Sequence, residues 1–169
     1  MTAMEPVIRP VVAADLEAVA GIYAHYVRHT VVTFDEQPPE LSFWQQRLDD
    51  LAARGLPFVV AELGGEVAGY AYVAPWKAKP AYRHTVENSI YLSPAHTGRG
   101  LGGALLEALL AACAETDVRQ VIAVIADSGV DASAALHRRF GFAEAGRLAA
   151  VGFKHERWVD TVLMQRTLA

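Results

Sequence analysis

Cysteine is almost absent from the chain. Its 169 residues include only one, Cys113, so no disulfide can form within the chain. The paired Cys/His spacings on which zinc sites depend are missing too, and we expect no metal. With 53% hydrophobic and 20% charged residues, the sequence has enough apolar side chains to form a stable core without disulfides or bound metal. The composition predicts one globular domain over residues 1–169, in a reducing compartment.

An excess of positive charge and a long apolar run are also lacking. The formal net charge is -4, whereas a surface that binds nucleic acid needs clustered Lys and Arg. No uncharged stretch approaches the roughly 20 apolar residues that span a bilayer, and Glu107 interrupts the best candidate, residues 101–114. Residues 1–9 have no apolar segment of the secretory type. We therefore expect a soluble cytoplasmic protein with no nucleic-acid or membrane partner.

The hydrophobic pattern predicts alternating helices and strands. Helical spacing indicates one helix near Leu16 and another after Pro39, ending at Gly55. Two β-branched and aromatic runs separated by Gly64 and Gly65 are typical of a hairpin. The later predicted elements are a strand at 84–92, a helix after the glycines at 98–103, a strand at 119–126, a helix at 132–140, and extended segments at 148–153 and 158–168.

Residues 98–103 read G-R-G-L-G-G and lie between a predicted strand and a predicted helix. Such a loop exposes main-chain N–H groups at the positive end of a helix dipole, and without Cβ atoms it lets a phosphate approach closely. A Rossmann loop would keep the spacing G-x-G-x-x-G after the first strand, and a Walker loop would end in Gly-Lys-Ser/Thr. Neither motif fits, which leaves another kind of anion site or ordinary turn glycines.

The motif and its surroundings resemble the GNAT acetyltransferase superfamily. Its pyrophosphate loop has the form Gln/Arg-x-x-Gly-x-Gly/Ala, and residues 97–102 read T-G-R-G-L-G, with Thr97 in place of the usual Gln or Arg. Within the superfamily, the chain is most similar to the phosphinothricin and methionine sulfoximine N-acetyltransferases. That similarity is carried by three blocks in the same order, at residues 76–92, 132–142 and 152–160.

The resemblance implies a mixed α/β fold, with a mostly antiparallel central sheet that is flanked by helices and splayed near its middle. It also implies that acetyl-CoA is the cosubstrate. Val130 is a second departure, since relatives often carry an asparagine there that contacts the cofactor. The implied cofactor-binding residues are Ile90, Tyr91 and Leu92 for the pantetheine arm, and Gly98, Arg99, Gly100, Leu101, Gly102 and Gly103 for the pyrophosphate.

Acetyl transfer to an amine needs a group that accepts the ammonium proton. Glu87 lies in a predicted strand, where acidic residues are uncommon. This favours a general base over an edge carboxylate or a partner for Arg83, and the resemblance supports that interpretation. Asn88 and Ser89 would then border the substrate, with ordinary cross-strand hydrogen bonding as the alternative. His137 takes the place of a tyrosine found in many relatives; it could protonate the leaving thiolate or serve as a structural helix residue.

Lys77, Lys79 and Tyr82 form a basic and aromatic loop before that strand. Such a loop could orient a substrate carboxylate, although exposed lysines are also common on solvated loops. We therefore predict an acetyl-CoA-dependent N-acetyltransferase that acts by direct attack on the α-amino group of a small amino acid analogue. The alternatives are another small amine, a peptide N-terminus, or a non-catalytic acyl-CoA-binding regulator. The resemblance further implies a homodimer with contacts through the C-terminal strands.

Overall fold

A computed structural model of the chain describes residues 4–169. The α-helices in this range are α1 (Leu16–His29), α2 (Leu41–Arg54), α3 (Leu101–Ala114) and α4 (Ala132–Arg139). The strands are β1 (Val7–Pro10), β2 (Phe58–Leu63), β3 (Glu66–Pro75), β4 (Thr85–Leu92), β5 (Gln120–Ala126), β6 (Ala143–Lys154) and β7 (Arg157–Thr167).

The strands form one sheet in the order β1-β2-β3-β4-β5-β7-β6. Every neighbouring pair is antiparallel except β4 and β5, which run parallel. Those two strands pair only over three rungs, the last of which joins Glu87 to Ile122. Beyond this rung β4 stays paired with β3 as far as Leu92, and β5 stays paired with β7 as far as Ala126. The two halves of the sheet therefore part after Glu87, which confirms the predicted splayed, mostly antiparallel α/β fold.

Each face of the sheet is covered by helices whose apolar residues repeat at helical spacing. On one face, α3 contributes Leu105, Leu106, Leu109 and the thiol-bearing Cys113, all fully buried. On the other face, Trp44 of α2 packs with residues of α1 and with aromatic side chains of β2 and β3. Burial raises the pKa of the Cys113 thiol to about 12, so this cysteine is a protonated core side chain rather than a nucleophile.

Most predicted elements are present, with shifts at their ends. The Gly64–Gly65 hairpin is confirmed, and Gly55 closes α2 in the left-handed conformation. The helix α2 begins at Leu41, two residues after Pro39. The strand β6 begins at 143, whereas the sequence pattern predicted a start at 148. The pattern missed residues 143–147 because they are rich in Ala and Gly, lack β-branched side chains and are interrupted by a bulge. None of the helices within residues 4–169 is both long and apolar enough to cross a membrane.

Candidate active site

The gap between β4 and β5 is a cleft of about 740 Å³. Ile90, Tyr91 and Leu92 form its β4 wall, and residues 123–126 form its β5 wall. Because pairing between the two strands stops at Glu87, the β5-facing main-chain groups of β4 beyond this rung have no partner on β5. Except for the Leu92 carbonyl oxygen, they are available to bind a ligand. Near the far end of the wall, the Tyr26 hydroxyl donates a hydrogen bond to the Leu92 carbonyl oxygen at 2.5 Å.

The glycine loop lies at the N-terminus of α3. Gly98 and Gly100 have φ values of 75° and 77°, which L side chains rarely adopt. The first helical hydrogen bond of α3 is donated by Ala104 to the Gly100 carbonyl, so the N–H groups of residues 101–103 have no partner within the helix. Leu101 offers only its main chain to this site, because its side chain is buried in the core. The loop has the backbone geometry expected of an anion site, and its binding of the pyrophosphate stays a prediction.

Glu87 lies where the cleft meets a second cavity. This cavity has a volume of about 400 Å³, and Glu87, Ser89 and Tyr91 line both spaces. Glu87 is half-buried, and burial raises the pKa of its carboxyl above the ordinary value, while the nearby charge of Arg47 acts in the opposite direction. A carboxylate with a raised pKa is a stronger proton acceptor than an exposed one. Its position beside both cavities suits it to take a proton from a molecule in the smaller one.

Asn88 and His137 form a pair on the opposite face of β4. Alternation along the strand directs Asn88 away from Glu87, so it borders the cleft and not the smaller cavity. Its side-chain nitrogen donates to His137 Nε2 at 3.0 Å, and His137 Nδ1 donates to the Ser133 carbonyl at 2.7 Å. Burial lowers the pKa of His137, which favours the neutral ring with its proton on Nδ1. The predicted donation to a leaving thiolate requires Nε2 to gain a proton first.

The basic loop is not brought to Glu87. Lys77 and Lys79 line a separate cavity of about 660 Å³ together with Arg54 and Val86. Because Val86 and Glu87 are consecutive in β4, their side chains point to opposite faces. Tyr82 lines none of these three cavities and is 40% exposed. A substrate-binding role for these three residues stays a prediction.

Arg47 is the cation that the structure places in the cavity beside Glu87. The sequence contains a signal for this residue, although we did not predict its role. Arg47 follows the buried Trp44 by three residues and precedes the buried Leu51 by four, so it shares their face of α2. A cation on the apolar side of an amphipathic helix is uncommon and points to a partner or a function.

Phe34 closes another side of the same cavity. Its ring packs directly on Gly152 of β6, where an added Cβ would lie 2.3 Å from the ring atom Cζ. Two hydrogen bonds hold the same segment in place. The buried Lys154 donates from Nζ to the Thr33 carbonyl at 2.7 Å, and the Tyr23 hydroxyl pairs with Thr33 Oγ1 at 2.7 Å. The C-terminal hairpin thus helps to shape the wall of the cavity.

These features meet the needs of acetyl-CoA. Open space surrounds the Cβ positions of Gly98 and Gly100, which leaves room for a phosphate. The N–H groups in the first turn of α3 have no partner within the helix and can donate to it. In the cleft, the Asn88 side-chain oxygen is buried and has no hydrogen-bond partner within residues 4–169. Across the same part of the chain, no group of three metal-ligating side chains occurs. The site is that of an enzyme that binds an extended, phosphate-bearing cosubstrate.

The chain belongs to the acetyltransferase (GNAT) family, whose model matches residues 19–142. It is 45% identical over 161 residues to a phosphinothricin N-acetyltransferase of Alcaligenes faecalis, covering 95% of this chain and 82% of that protein. It is 38% identical over 166 residues to an L-methionine sulfoximine/L-methionine sulfone acetyltransferase of Pseudomonas aeruginosa, covering 98% and 96%.

Solved structures give the same result. The crystal structure of a GNAT superfamily phosphinothricin acetyltransferase from Sinorhizobium meliloti, in complex with acetyl-CoA, superposes with a TM-score of 0.92 at 44% identity, covering 97% of this chain and 89% of that one. The protein is therefore an N-acetyltransferase with acetyl-CoA as its cosubstrate. This finding excludes the alternative of a non-catalytic acyl-CoA-binding regulator.

Proposed function

We propose that the enzyme acetylates the α-amino group of a small amino acid analogue of the phosphinothricin or methionine sulfoximine type, with Glu87 as general base. The observation that carries the proposal is the junction of the two cavities at Glu87. The larger cleft suits the cosubstrate, and the smaller cavity is of a size typical for a small molecule. The names of the relatives from Alcaligenes faecalis and Pseudomonas aeruginosa support this class of substrate.

Acetyl-CoA supplies a thioester, whose carbonyl carbon is open to attack by a neutral amine. The main-chain groups of Ile90, the N–H of Leu92 and the N–H groups of residues 98–103 fix the cosubstrate along the cleft, since the main chain of Tyr91 pairs with β3 and the Leu92 carbonyl accepts from Tyr26. At the junction, the Glu87 carboxylate accepts a proton from the substrate ammonium and leaves a nucleophilic lone pair on nitrogen. Tyr91 and Phe34 line the cavity in which the substrate amine would lie. Attack forms the C–N bond, the C–S bond breaks, and CoA leaves as a thiolate that takes up the second proton of the attacking nitrogen. The chain thereby contributes mainly positioning and the first proton transfer.

The test is a thiol-release assay with acetyl-CoA and, in turn, L-phosphinothricin, L-methionine sulfoximine and a set of peptides with free N-termini. We expect release of CoA with the two amino acid analogues, and mass spectrometry should show one acetyl group on their α-nitrogen. Release with peptides alone would favour the alternative of a peptide N-terminus as acceptor. Absence of turnover with both analogues would contradict the proposal.

We also propose that the protein is a homodimer, as the resemblance implied. Support comes from the C-terminal hairpin, where several large apolar side chains are exposed to solvent. Phe153 and Trp158 face each other in register across β6 and β7, with ring centroids 4.8 Å apart. Exposed fractions are 47% for Leu148, 52% for Val151, 54% for Phe153 and 67% for Trp158. Several large exposed apolar side chains in one hairpin are typical of a protein interface. A cytoplasmic location stays a prediction.

A further inference from the structure

Arg47 is a half-buried cation held between two aromatic rings. Its guanidinium carbon lies 4.9 Å from the centroid of the Tyr72 ring and 5.0 Å from that of Phe43. Within residues 4–169 it forms no salt bridge. A guanidinium has five N–H donors in a rigid plane, and partial burial makes unused donors costly. The aromatic contacts fix the orientation of the plane but leave these donors free for a ligand.

The position of Arg47 relates it directly to the proposed base. Tyr72 pairs with Ser89, and Ala74 pairs with Glu87, across β3 and β4. Tyr72, on which the guanidinium stacks, is therefore two residues away from the position opposite Glu87. Residues two apart in a strand point to the same face of the sheet, so Arg47 and Glu87 lie on one face. Arg47 and Glu87 line the same cavity and form no ion pair, and the charge of Arg47 partly offsets the rise that burial causes in the pKa of Glu87. Arg47 is thus close enough to act on a small molecule that also contacts Glu87.

We propose that Arg47 binds the α-carboxylate of the amino acid substrate and so selects α-amino acids over amines without an adjacent acid. The proposal rests on the proposed function. A guanidinium pairs with a carboxylate through two parallel hydrogen bonds, and a carboxylate held in this way directs the amine on the neighbouring carbon toward Glu87. This assigns to α2 the task that the sequence had suggested for Lys77 and Lys79, which line another cavity.

The experiment compares L-methionine sulfone with its α-carboxamide as acceptors. The side chain of this substrate is neutral, so its α-carboxylate is the anion under test, whereas phosphinothricin carries a second one. For Arg47→Gln we expect KM for the acid to rise about 10- to 100-fold, the range for loss of a charge-assisted hydrogen-bonded pair. KM values for the carboxamide and for acetyl-CoA should stay within about twofold. Arg47→Lys should recover part of the preference, because it keeps the charge but loses the planar pair.

Three controls separate the possible causes. Arg54→Gln removes a cation from the same helix, outside the Glu87 cavity, and should behave as the wild type. Lys77→Gln tests the basic loop: a loss of acid selectivity there, with none in Arg47→Gln, would overturn the proposal. A shift of the pH profile in Arg47→Gln that is equal for acid and carboxamide, with selectivity retained, would show that Arg47 acts only through Glu87 and would also overturn it.

Failure of this proposal differs from failure of the proposed function. If the wild-type enzyme acetylates L-methionine sulfone and Arg47→Gln keeps the full preference for acid over carboxamide, only the role of Arg47 is wrong. If the wild-type enzyme acetylates no amino acid, the substrate class itself is wrong. Thermal melting of each variant shows whether it is folded, and Arg47→Lys provides a selectivity measurement should Arg47→Gln be unstable.

Discussion

At the scale of single residues, the proposed chemistry depends on the carboxylate of Glu87. Replacing it with glutamine keeps the size of the side chain but removes the proton acceptor. We expect Glu87→Gln to lower kcat by about 100- to 10,000-fold, the usual contribution of a general base, with little change in the Kd for acetyl-CoA. Steady-state kinetics and calorimetric titration measure the two quantities. Glu66→Gln, at an exposed position, is the matched control, and equal activity of Glu87→Gln and wild type would refute the base.

The pKa of Glu87 also gives a pH dependence with a defined sign. Because burial raises this pKa, the low-pH fall in kcat/KM of the wild type should lie above the ordinary pH range for glutamate.

The folded state also holds the Glu87 proton more tightly than the unfolded state, so ionisation of Glu87 destabilises the fold as pH rises between the two pKa values. Glu87→Gln should therefore melt at a higher temperature than wild type at neutral pH. The difference should vanish in acid, where both side chains are neutral.

Residues differed in how far the sequence revealed their roles. Glu87 was identified as a candidate because an acid within an apolar strand is unusual, and its role as general base stays a proposal. We predicted that Asn88 and Ser89 both border the substrate, but only Ser89 lines the smaller cavity. The bond from Asn88 to His137 joins residues 49 positions apart, which no local pattern reveals. The role of Arg47 was not predicted because its significance depends on Tyr72 and Glu87, which come from other elements.

At the scale of elements, the contact between Phe34 and Gly152 links the C-terminal hairpin to the substrate cavity. Gly152→Ala should push the ring of Phe34 out of place, since the new Cβ would meet it at 2.3 Å. Because the ring of Phe34 is 38% exposed and can move aside, we expect a loss of at most about 1 kcal/mol in the free energy of unfolding, together with a higher KM for the amine. Denaturant unfolding and kinetics measure these effects.

Gly146→Ala provides the control within the same strand, because nothing lies within 4 Å of its added Cβ. It should match the wild type in stability and in KM. If Gly152→Ala also matched the wild type in both, the hairpin would not shape the cavity.

The sequence pattern predicted a hairpin correctly where the turn residues are characteristic, as at Gly64 and Gly65. It failed at the start of β6, where bulges interrupt the alternation.

At the scale of the whole molecule, the exposed apolar side chains of β6 and β7 predict self-association. Trp158→Glu would place a charge in the proposed interface, where its desolvation opposes pairing. We expect the wild type to sediment at twice the chain mass of 18.3 kDa and the variant to sediment as a monomer. Val7→Glu, at an exposed position in β1 on the opposite edge of the sheet, should stay dimeric. A monomeric wild type would refute the dimer.

The splay of the sheet is also a property of the whole molecule, and periodicity alone did not predict it. The spacing of apolar residues indicates strands, whereas the point at which β4 and β5 part depends on how both strands pair with their outer neighbours. Resemblance to a known superfamily supplied that expectation, and the three-rung pairing of β4 with β5 confirms it.

The most direct test of the central claim is a crystal structure of the enzyme with acetyl-CoA and an unreactive analogue of the amino acid substrate. We predict that the diphosphate contacts the N–H groups of residues 98–103, and that the thioester and the substrate nitrogen meet beside the Glu87 carboxylate. A diphosphate bound elsewhere, or a Glu87 side chain directed away from the thioester, would contradict the claim.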